Sequence, residues 1–196
     1  MKKAEITKSL IIRRAAELFN LKGYAGSSIA DIMQATGLKK GGIYNHFKSK
    51  DEIALAAFDY AVSLVQKRAW SVVKTKKNAI SRLQALLKNH LDYLEHPPLP
   101  GGCPIMNTAI ESDDAYPLLR DRALAAMQSW HDLVVRIISI GIEKGELSKT
   151  VDPEAVASFL ISTIEGSIML SKLYQDDIHL RRAIATLDNY VTGLGS

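Results

Sequence analysis

Apolar residues recur every three or four positions along almost the whole chain, and this spacing constrains the fold more than any other feature. Leu10, Ala15 and Leu18 begin the pattern, and no segment shows the apolar–polar alternation of a half-buried strand. Glycines and prolines interrupt it, most clearly at Gly37 and in the segment 97–102. The sequence therefore predicts an all-α fold of about nine helices.

Two short helices are predicted on either side of the break at Gly37. Ser28 and Asp31 have the spacing of a capping box, so the first helix is expected over 29–36. The second is expected over about 40–47. Two short helices joined by a tight glycine turn, after a longer first helix, are typical of a helix-turn-helix motif.

The positive charge of the chain lies at the same end as this motif. Residues 1–53 contain ten basic and five acidic side chains, a net charge of +5, against +4 for all 196 residues. Lys39 and Lys40 begin the second short helix, whose N-terminal residues enter the DNA major groove in helix-turn-helix proteins. A basic segment attracts polyanions, although a solvated surface would show the same charge. We therefore expect a DNA-binding domain at 1–53 and a helical regulatory domain at 54–196.

Composition and motifs argue against several other classes of protein. With 47% hydrophobic and 23% charged residues, the chain can bury a core and is not a disordered protein. Its single cysteine, Cys103, cannot form an intrachain disulfide. The sequence shows no nucleotide-binding glycine loop, catalytic-serine motif or zinc-protease motif, so we expect no enzyme, cofactor or metal. It shows no signal peptide and no membrane-spanning run, which predicts a cytoplasmic protein that does not engage a membrane.

Two segments within residues 6–55 carry a family resemblance. They are Phe19-x-x-x-Gly23-Tyr24-x-x-Ser27-Ser28-Ile29-x-x-Ile32 and Gly37-Leu38-Lys39-Lys40-Gly41-Gly42-Ile43-Tyr44-Asn45-His46-Phe47-Lys48-Ser49-Lys50-Asp51-x-Ile53. These segments resemble the DNA-binding domain of the TetR family of bacterial transcriptional repressors. The resemblance implies a homodimer that binds a palindromic double-stranded DNA operator, with a helical C-terminal domain that often binds an inducer.

The resemblance also implies DNA contacts at two groups of positions. The group that contacts phosphates is Tyr44, His46 and Lys50. The group that often contacts bases is Lys40, Gly41, Gly42 and Asn45. As alternatives, Tyr44 packs on the first helix and His46 satisfies a backbone carbonyl.

Three further residues are expected at the interface because of their place beside the two helices. Ser27 and Ser28 precede the first helix, whose free amides can hold a phosphate, and Ser28 is also its cap. Lys39 stands where many family members have Ser or Thr, so the second helix lacks a good N-cap. Lys39 is therefore expected to contact a phosphate, or else the helix tightens only on DNA.

An effector pocket is expected among the helices that follow residue 54, because ligand sites commonly form between packed helices. The candidate lining residues are Val62, His90, Cys103, Met106, Asn107, Met127, Trp130 and Phe159. Their apolar and aromatic character suits a planar hydrophobic ligand, although such residues are more often ordinary core. The segment Gly102-Cys103-Pro104-x-x-Asn107-x-Ala109-x-Glu111 resembles a subset of the family that responds to small organic molecules and in some members to electrophiles. Cys103 is thus either a sensor thiol or an inert buried residue.

The last two predicted helices carry the dimer prediction, because they hold more apolar surface than one neighbour would cover. The expected interface residues are Phe159, Ser162, Thr163, Gly166 and Ser167. The predicted function is a ligand-responsive dimeric repressor released from its operator by a small hydrophobic or electrophilic inducer. The alternative is a DNA-binding protein of the same fold without an inducer, architectural or controlled by a partner.

Overall fold

The computed structural model describes residues 3–112 and 115–195, and it confirms the all-α expectation. Within those residues the one β-type pairing outside the helices is an isolated bridge between Leu147 and Gly195. The described part contains nine helices. They are α1 (Lys3–Lys22), α2 (Ile29–Thr36), α3 (Lys40–Tyr44), α4 (Lys50–Val73), α5 (Ala79–Glu95), α6 (Pro104–Ser112), α7 (Pro117–Glu143), α8 (Pro153–Tyr174) and α9 (Ile178–Thr192).

The chain divides into two compact units. The first combines the residues up to Leu64 with Pro98–Ala126, so it holds α1 to α3, most of α4, all of α6 and the start of α7. Its core is built from side chains spaced along α1 to α4, with Ile11, Ile32 and Ile43 fully buried. This unit extends the predicted DNA-binding segment by helices that follow much later in the sequence.

The second unit combines Val65–Pro97 with the residues from Met127 onward. In this unit α9 packs against both α5 and α8. Leu83 and Leu87 on α5 and Leu180 and Leu187 on α9 are almost completely buried. The apolar spacing that predicted these helices therefore corresponds to the faces that they bury.

Local sequence signals fix some helix ends but not others. Asp152 caps α8 as its sequence suggests, because its carboxylate accepts the N–H groups of Glu154 and Ala155 at 3.0 and 3.3 Å. By contrast, α3 ends at Tyr44, three residues before the expected end. The N–H groups of His46 and Phe47 both donate to the carbonyl of Ile43, at 2.9 and 3.2 Å, and the Phe47 side chain is buried in the core.

One helix passes a simple test for a membrane span, which the sequence interpretation missed. By length and composition alone, α8 is long and apolar enough to cross a membrane. Half of its apolar window is buried inside the protein, as in the core helix of a soluble protein. The helix is therefore weak evidence for a membrane protein.

Candidate nucleic-acid interface

The helix α2 is held at its start by the predicted capping box. The Ser28 hydroxyl oxygen accepts the N–H of Asp31 at 3.1 Å, and the Asp31 carboxylate accepts the N–H of Ser28 at 2.8 Å. The Lys22 ammonium lies 3.2 Å from the same carboxylate. The hydrogen bonds from Ser28, followed by Lys22, lower the pKa of Asp31 to about 2. Asp31 therefore stays charged and keeps its hydrogen bond to the N–H of Ser28 at the start of α2.

The turn from α2 to α3 depends on Gly37. This residue has a φ of 70°, in the left-handed region that glycine adopts without strain. Its N–H donates to the carbonyl of Met33 at 2.9 Å and so closes the last turn of α2. The chain can then reverse and begin α3 three residues later, at Lys40.

The helix α3 presents its basic start to solvent. Lys39 and Lys40 are exposed, and Lys39 occupies the N-cap position without a side-chain hydrogen bond to the helix. The missing side-chain cap is thus confirmed. Tyr44 is 42% exposed, and its ring centre lies 5.8 Å from the Lys40 ammonium. Asn45 is exposed at the other end of the helix. This surface offers two cations, a phenol and an amide to a neighbouring molecule.

Two glycines of α3 have no role that the protein itself requires. A Cβ atom added at Gly41 would meet no atom within 4 Å, and one at Gly42 would make ordinary contact with Leu38 at 3.6 Å. Neither glycine has a positive φ. Glycine costs about 1 kcal/mol relative to alanine within a helix. Neither packing nor backbone conformation explains that cost, whereas close approach of another molecule would explain it.

The remaining predicted DNA contacts are less exposed. The Lys50 ammonium donates to the carbonyl of Tyr24 at 2.6 Å and lies 3.9 Å from the centre of its ring. Ser27 is buried, and its hydroxyl donates to the carbonyl of Gly23 at 2.7 Å. His46 is half-buried. DNA contacts by these three residues, and by the exposed ones, stay predictions.

Four of the predicted effector residues lie in the first unit. Val62 and Cys103 are buried there, whereas Met106 and Asn107 are half-buried. A cavity of ≈ 40 Å³ in this unit is lined by Asn107 and by residues that sequence reasoning did not select. They include Asn20, Tyr24, Glu111 and Tyr116. Tyr24 and Glu111 both stand in the family patterns quoted above, which would have been the signal for them.

The other four predicted effector residues lie in the second unit. His90 is buried and stacks on Trp130, with ring centres 5.6 Å apart. Burial lowers the pKa of His90 to about 4, so its ring is neutral at neutral pH. Met127 is half-buried, and Phe159 is 44% exposed, with its ring centre 5.1 Å from that of Tyr190. A shared ligand pocket for all eight residues stays a prediction.

The predicted dimer residues on α8 belong mostly to an exposed stripe. Phe159, Ser162, Thr163 and Gly166 are exposed or half-buried, whereas Ser167 is buried and donates to the carbonyl of Ile164. Other exposed apolar side chains, from α8 to the start of α9, are Met169, Leu173, Tyr174 and Ile178. An added Cβ at Gly166 would meet no atom within 4 Å. The stripe is therefore larger than the sequence prediction.

Acidic residues do not form a metal site in the part of the chain that is described, where no group of three or more potential ligands occurs. Asp176 and Asp177 serve the start of α9. Asp176 accepts the N–H of Ile178 at 2.9 Å, and Asp177 pairs with Arg181. Asp113 and Asp114, the other pair of adjacent acids, lie outside the described residues.

A helix-turn-helix with an exposed basic second helix, followed by an otherwise helical chain, defines a DNA-binding transcriptional regulator. Residues 11–57 match the family model of bacterial regulatory proteins of the tetR family, and residues 79–187 match that of the tetracyclin repressor-like C-terminal domain. The chain belongs to the TetR family of transcriptional regulators, which are not enzymes.

Individual relatives agree over nearly the whole chain. A TetR transcriptional regulator from Chloroflexus aurantiacus has a solved structure with 44% identity and a TM-score of 0.95, covering 98% of this chain and 97% of that one. An uncharacterized HTH-type transcriptional regulator in the lacX 3′ region of Lactococcus lactis is 34% identical, over 87% of this chain and 85% of its own length. The HTH-type transcriptional repressor DhaR of a Mycobacterium species is 26% identical, over 83% and 81%.

Proposed function

We propose that this regulator is a dimeric repressor that binds a palindromic operator through α3 and is released by a small hydrophobic molecule. The observation that carries the proposal is the outer surface of α3, where Gly41 and Gly42 have no structural role within the protein. Lys40 and Asn45 flank these glycines with groups that can donate hydrogen bonds to base edges. The relative DhaR is described as a transcriptional repressor, which supports repression over activation.

The dimer is supported by the apolar stripe along α8. Leu173 is 73% exposed, Met169 is 47% exposed and Phe159 is 44% exposed. Contiguous exposed apolar surface of this kind marks an interaction site. A two-fold dimer would present two copies of α3 to half-sites about 34–36 Å apart, which is one turn of DNA. Operator symmetry then follows from the symmetry of the protein.

Release by a small molecule is supported by the family and by the cavity next to Asn107. Cys103 is 5% exposed, which favours a hydrophobic ligand over an electrophile because a reactive thiol needs access. A ligand releases the DNA only if it binds the DNA-free state more tightly than the bound state. A thermal-shift screen tests this step, since a bound ligand raises the melting temperature. Operator binding without any stabilising ligand would favour the alternative of a partner-controlled regulator.

The operator proposal is tested by capturing random genomic fragments with the purified protein at several salt concentrations. We expect a short palindrome that is still recovered at high salt, because base contacts add to the electrostatic attraction. Capture that vanishes as salt rises, without any common motif, would refute operator recognition. The TetR-family fold would stand in either case.

The dimer proposal predicts that Ser162→Glu separates the subunits. Ser162 is exposed on the apolar stripe, and near a two-fold axis the new carboxylate would lie close to its symmetry mate. We expect the dimer dissociation constant to rise about a hundredfold. Light scattering on size-exclusion fractions measures the molar mass of the particle and so distinguishes dimer from monomer. Ser129→Glu, on an exposed position of α7, is the matched control and should stay dimeric. A Ser162→Glu protein that remains fully dimeric would place the interface elsewhere.

A further inference from the structure

The helix α6 lies outside the helix-turn-helix segment but bonds directly to the turn that precedes it. The Glu111 carboxylate accepts the N–H of Tyr24 at 2.7 Å on one oxygen and the N–H of Ala25 at 2.8 Å on the other. Both donors follow the end of α1, where the backbone has left the helix. One side chain from late in the first unit therefore fixes two consecutive amides of the α1–α2 turn.

The turn is shaped to admit this carboxylate. Gly23 has a φ of 77°, and a Cβ atom added there would lie 2.8 Å from both carboxylate oxygens of Glu111. Any other residue at this position would displace the Glu111 carboxylate and would also strain the backbone. The absence of a side chain at Gly23 thus leaves the space that the Glu111 carboxylate occupies.

A second bond on the same face of α6 holds the end of α1. Asn107 lies one helical turn before Glu111, and side chains four residues apart project from the same side of a helix. Its amide donates to the Asn20 side-chain oxygen at 3.0 Å and to the carbonyl of Gly101 at 2.9 Å. Asn20 in turn donates to the carbonyl of Pro100 at 2.8 Å. Glu111 therefore holds the α1–α2 turn next to Asn20, where the end of α1 is itself held by hydrogen bonds.

The residue held by Glu111 also holds a predicted DNA contact. The carbonyl of Tyr24 accepts the Lys50 ammonium, which lies over the Tyr24 ring. The Tyr24 phenol donates to Asp51, at the start of α4, and its ring packs edge-on against Tyr116 with centres 4.6 Å apart. Burial and the bond to Asp51 raise the pKa of Tyr24, so the phenol keeps its proton. Displacing Tyr24 would displace Lys50.

We propose that Glu111 is a positioning residue for DNA binding, which acts by holding Tyr24 and, through Tyr24, the Lys50 ammonium. Without this carboxylate, the turn samples conformations in which Lys50 no longer faces a phosphate. Molecules that bind DNA from these conformations lack the Lys50 contact to a phosphate, so the affinity and its salt dependence both fall. The proposal concerns DNA binding alone and does not depend on an inducer.

The test compares Glu111→Gln with wild type in full-length protein, on a random-sequence duplex and on the duplex recovered by capture. We expect about tenfold weaker binding on both, because the charge-assisted bond from Lys50 to a phosphate is lost. The slope of log affinity against log salt should fall by about one, the loss of one phosphate contact. Partial unfolding would lower the active fraction and leave that slope unchanged. Asp121→Asn, an exposed acid on α7, is the matched control and should bind as wild type.

A double-variant cycle with Lys50→Ala tests the route of the effect. If Glu111 acts through Lys50, adding Glu111→Gln to Lys50→Ala should weaken binding less than twofold further. Glu111→Asp keeps the charge with a shorter reach and should give an intermediate loss. Wild-type affinity and salt slope in Glu111→Gln would overturn the proposal. A full tenfold further loss in the Lys50→Ala background would also overturn it.

Discussion

The neighbouring helices α2 and α3 differ in how their first turns are held. The start of α2 is closed by a reciprocal pair of hydrogen bonds between Ser28 and Asp31. The start of α3 has Lys39 at the N-cap, with no side-chain hydrogen bond, and two glycines follow within the first turn. One helix is stabilised by its own sequence, and the other carries residues that favour contact with a neighbouring molecule.

This difference indicates that α3 depends on its surroundings for stability. Ile43 anchors it to the core of the first unit, and α2 packs against it. A helix of five residues is too short to be stable alone. The well-capped α2 therefore supports α3, whose exposed surface is the one that we propose binds DNA. The following predictions test this division of roles.

The largest effect is expected from Lys40→Ala, on sequence preference. If α3 serves base contact, this change should relax discrimination at particular base pairs by roughly 1–3 kcal/mol. Lys50→Ala, in contrast, should weaken binding to all sequences about equally, because a phosphate contact carries no sequence information. Competition binding with single-base operator variants measures both. A uniform loss in Lys40→Ala would reassign Lys40 to the DNA backbone and weaken the contrast between the two helices.

A smaller effect is expected from Ser28→Ala, on stability. Removing the capping hydroxyl should destabilise the protein by about 1 kcal/mol, because the Asp31 amide loses its acceptor. Lys39→Ala, at the equivalent position of α3, should leave the free energy of unfolding almost unchanged. Urea denaturation followed by circular dichroism compares the two variants. Equal losses would mean that Lys39 supports α3 in a way that its backbone position does not indicate.

The two helices also show what the sequence could and could not predict. The bounds of α2 were predicted correctly because Ser28, Asp31 and Gly37 are signals within the helix and its flanks. The end of α3 was placed too late, since burial of Phe47 depends on packing against other helices. The bonds from Glu111 to the α1–α2 turn could not be predicted. These bonds join residues that are far apart in the sequence. Their donors are backbone N–H groups, which every residue type except proline carries, so residue types alone do not reveal them.

The smallest effect is expected from Gly41→Ala, in which stability and binding should change in opposite directions. The added methyl group meets no protein atom, and the backbone there is already helical. Thermal unfolding should therefore show a gain of up to about 1 kcal/mol. Operator affinity should fall, because the methyl group occupies the space into which we propose that DNA packs. Gly193→Ala, at the end of α9 with a φ of −71°, is the matched control and should leave DNA binding unchanged. If Gly41→Ala stabilised the protein and bound DNA as well as wild type, the glycine would not serve close approach to DNA.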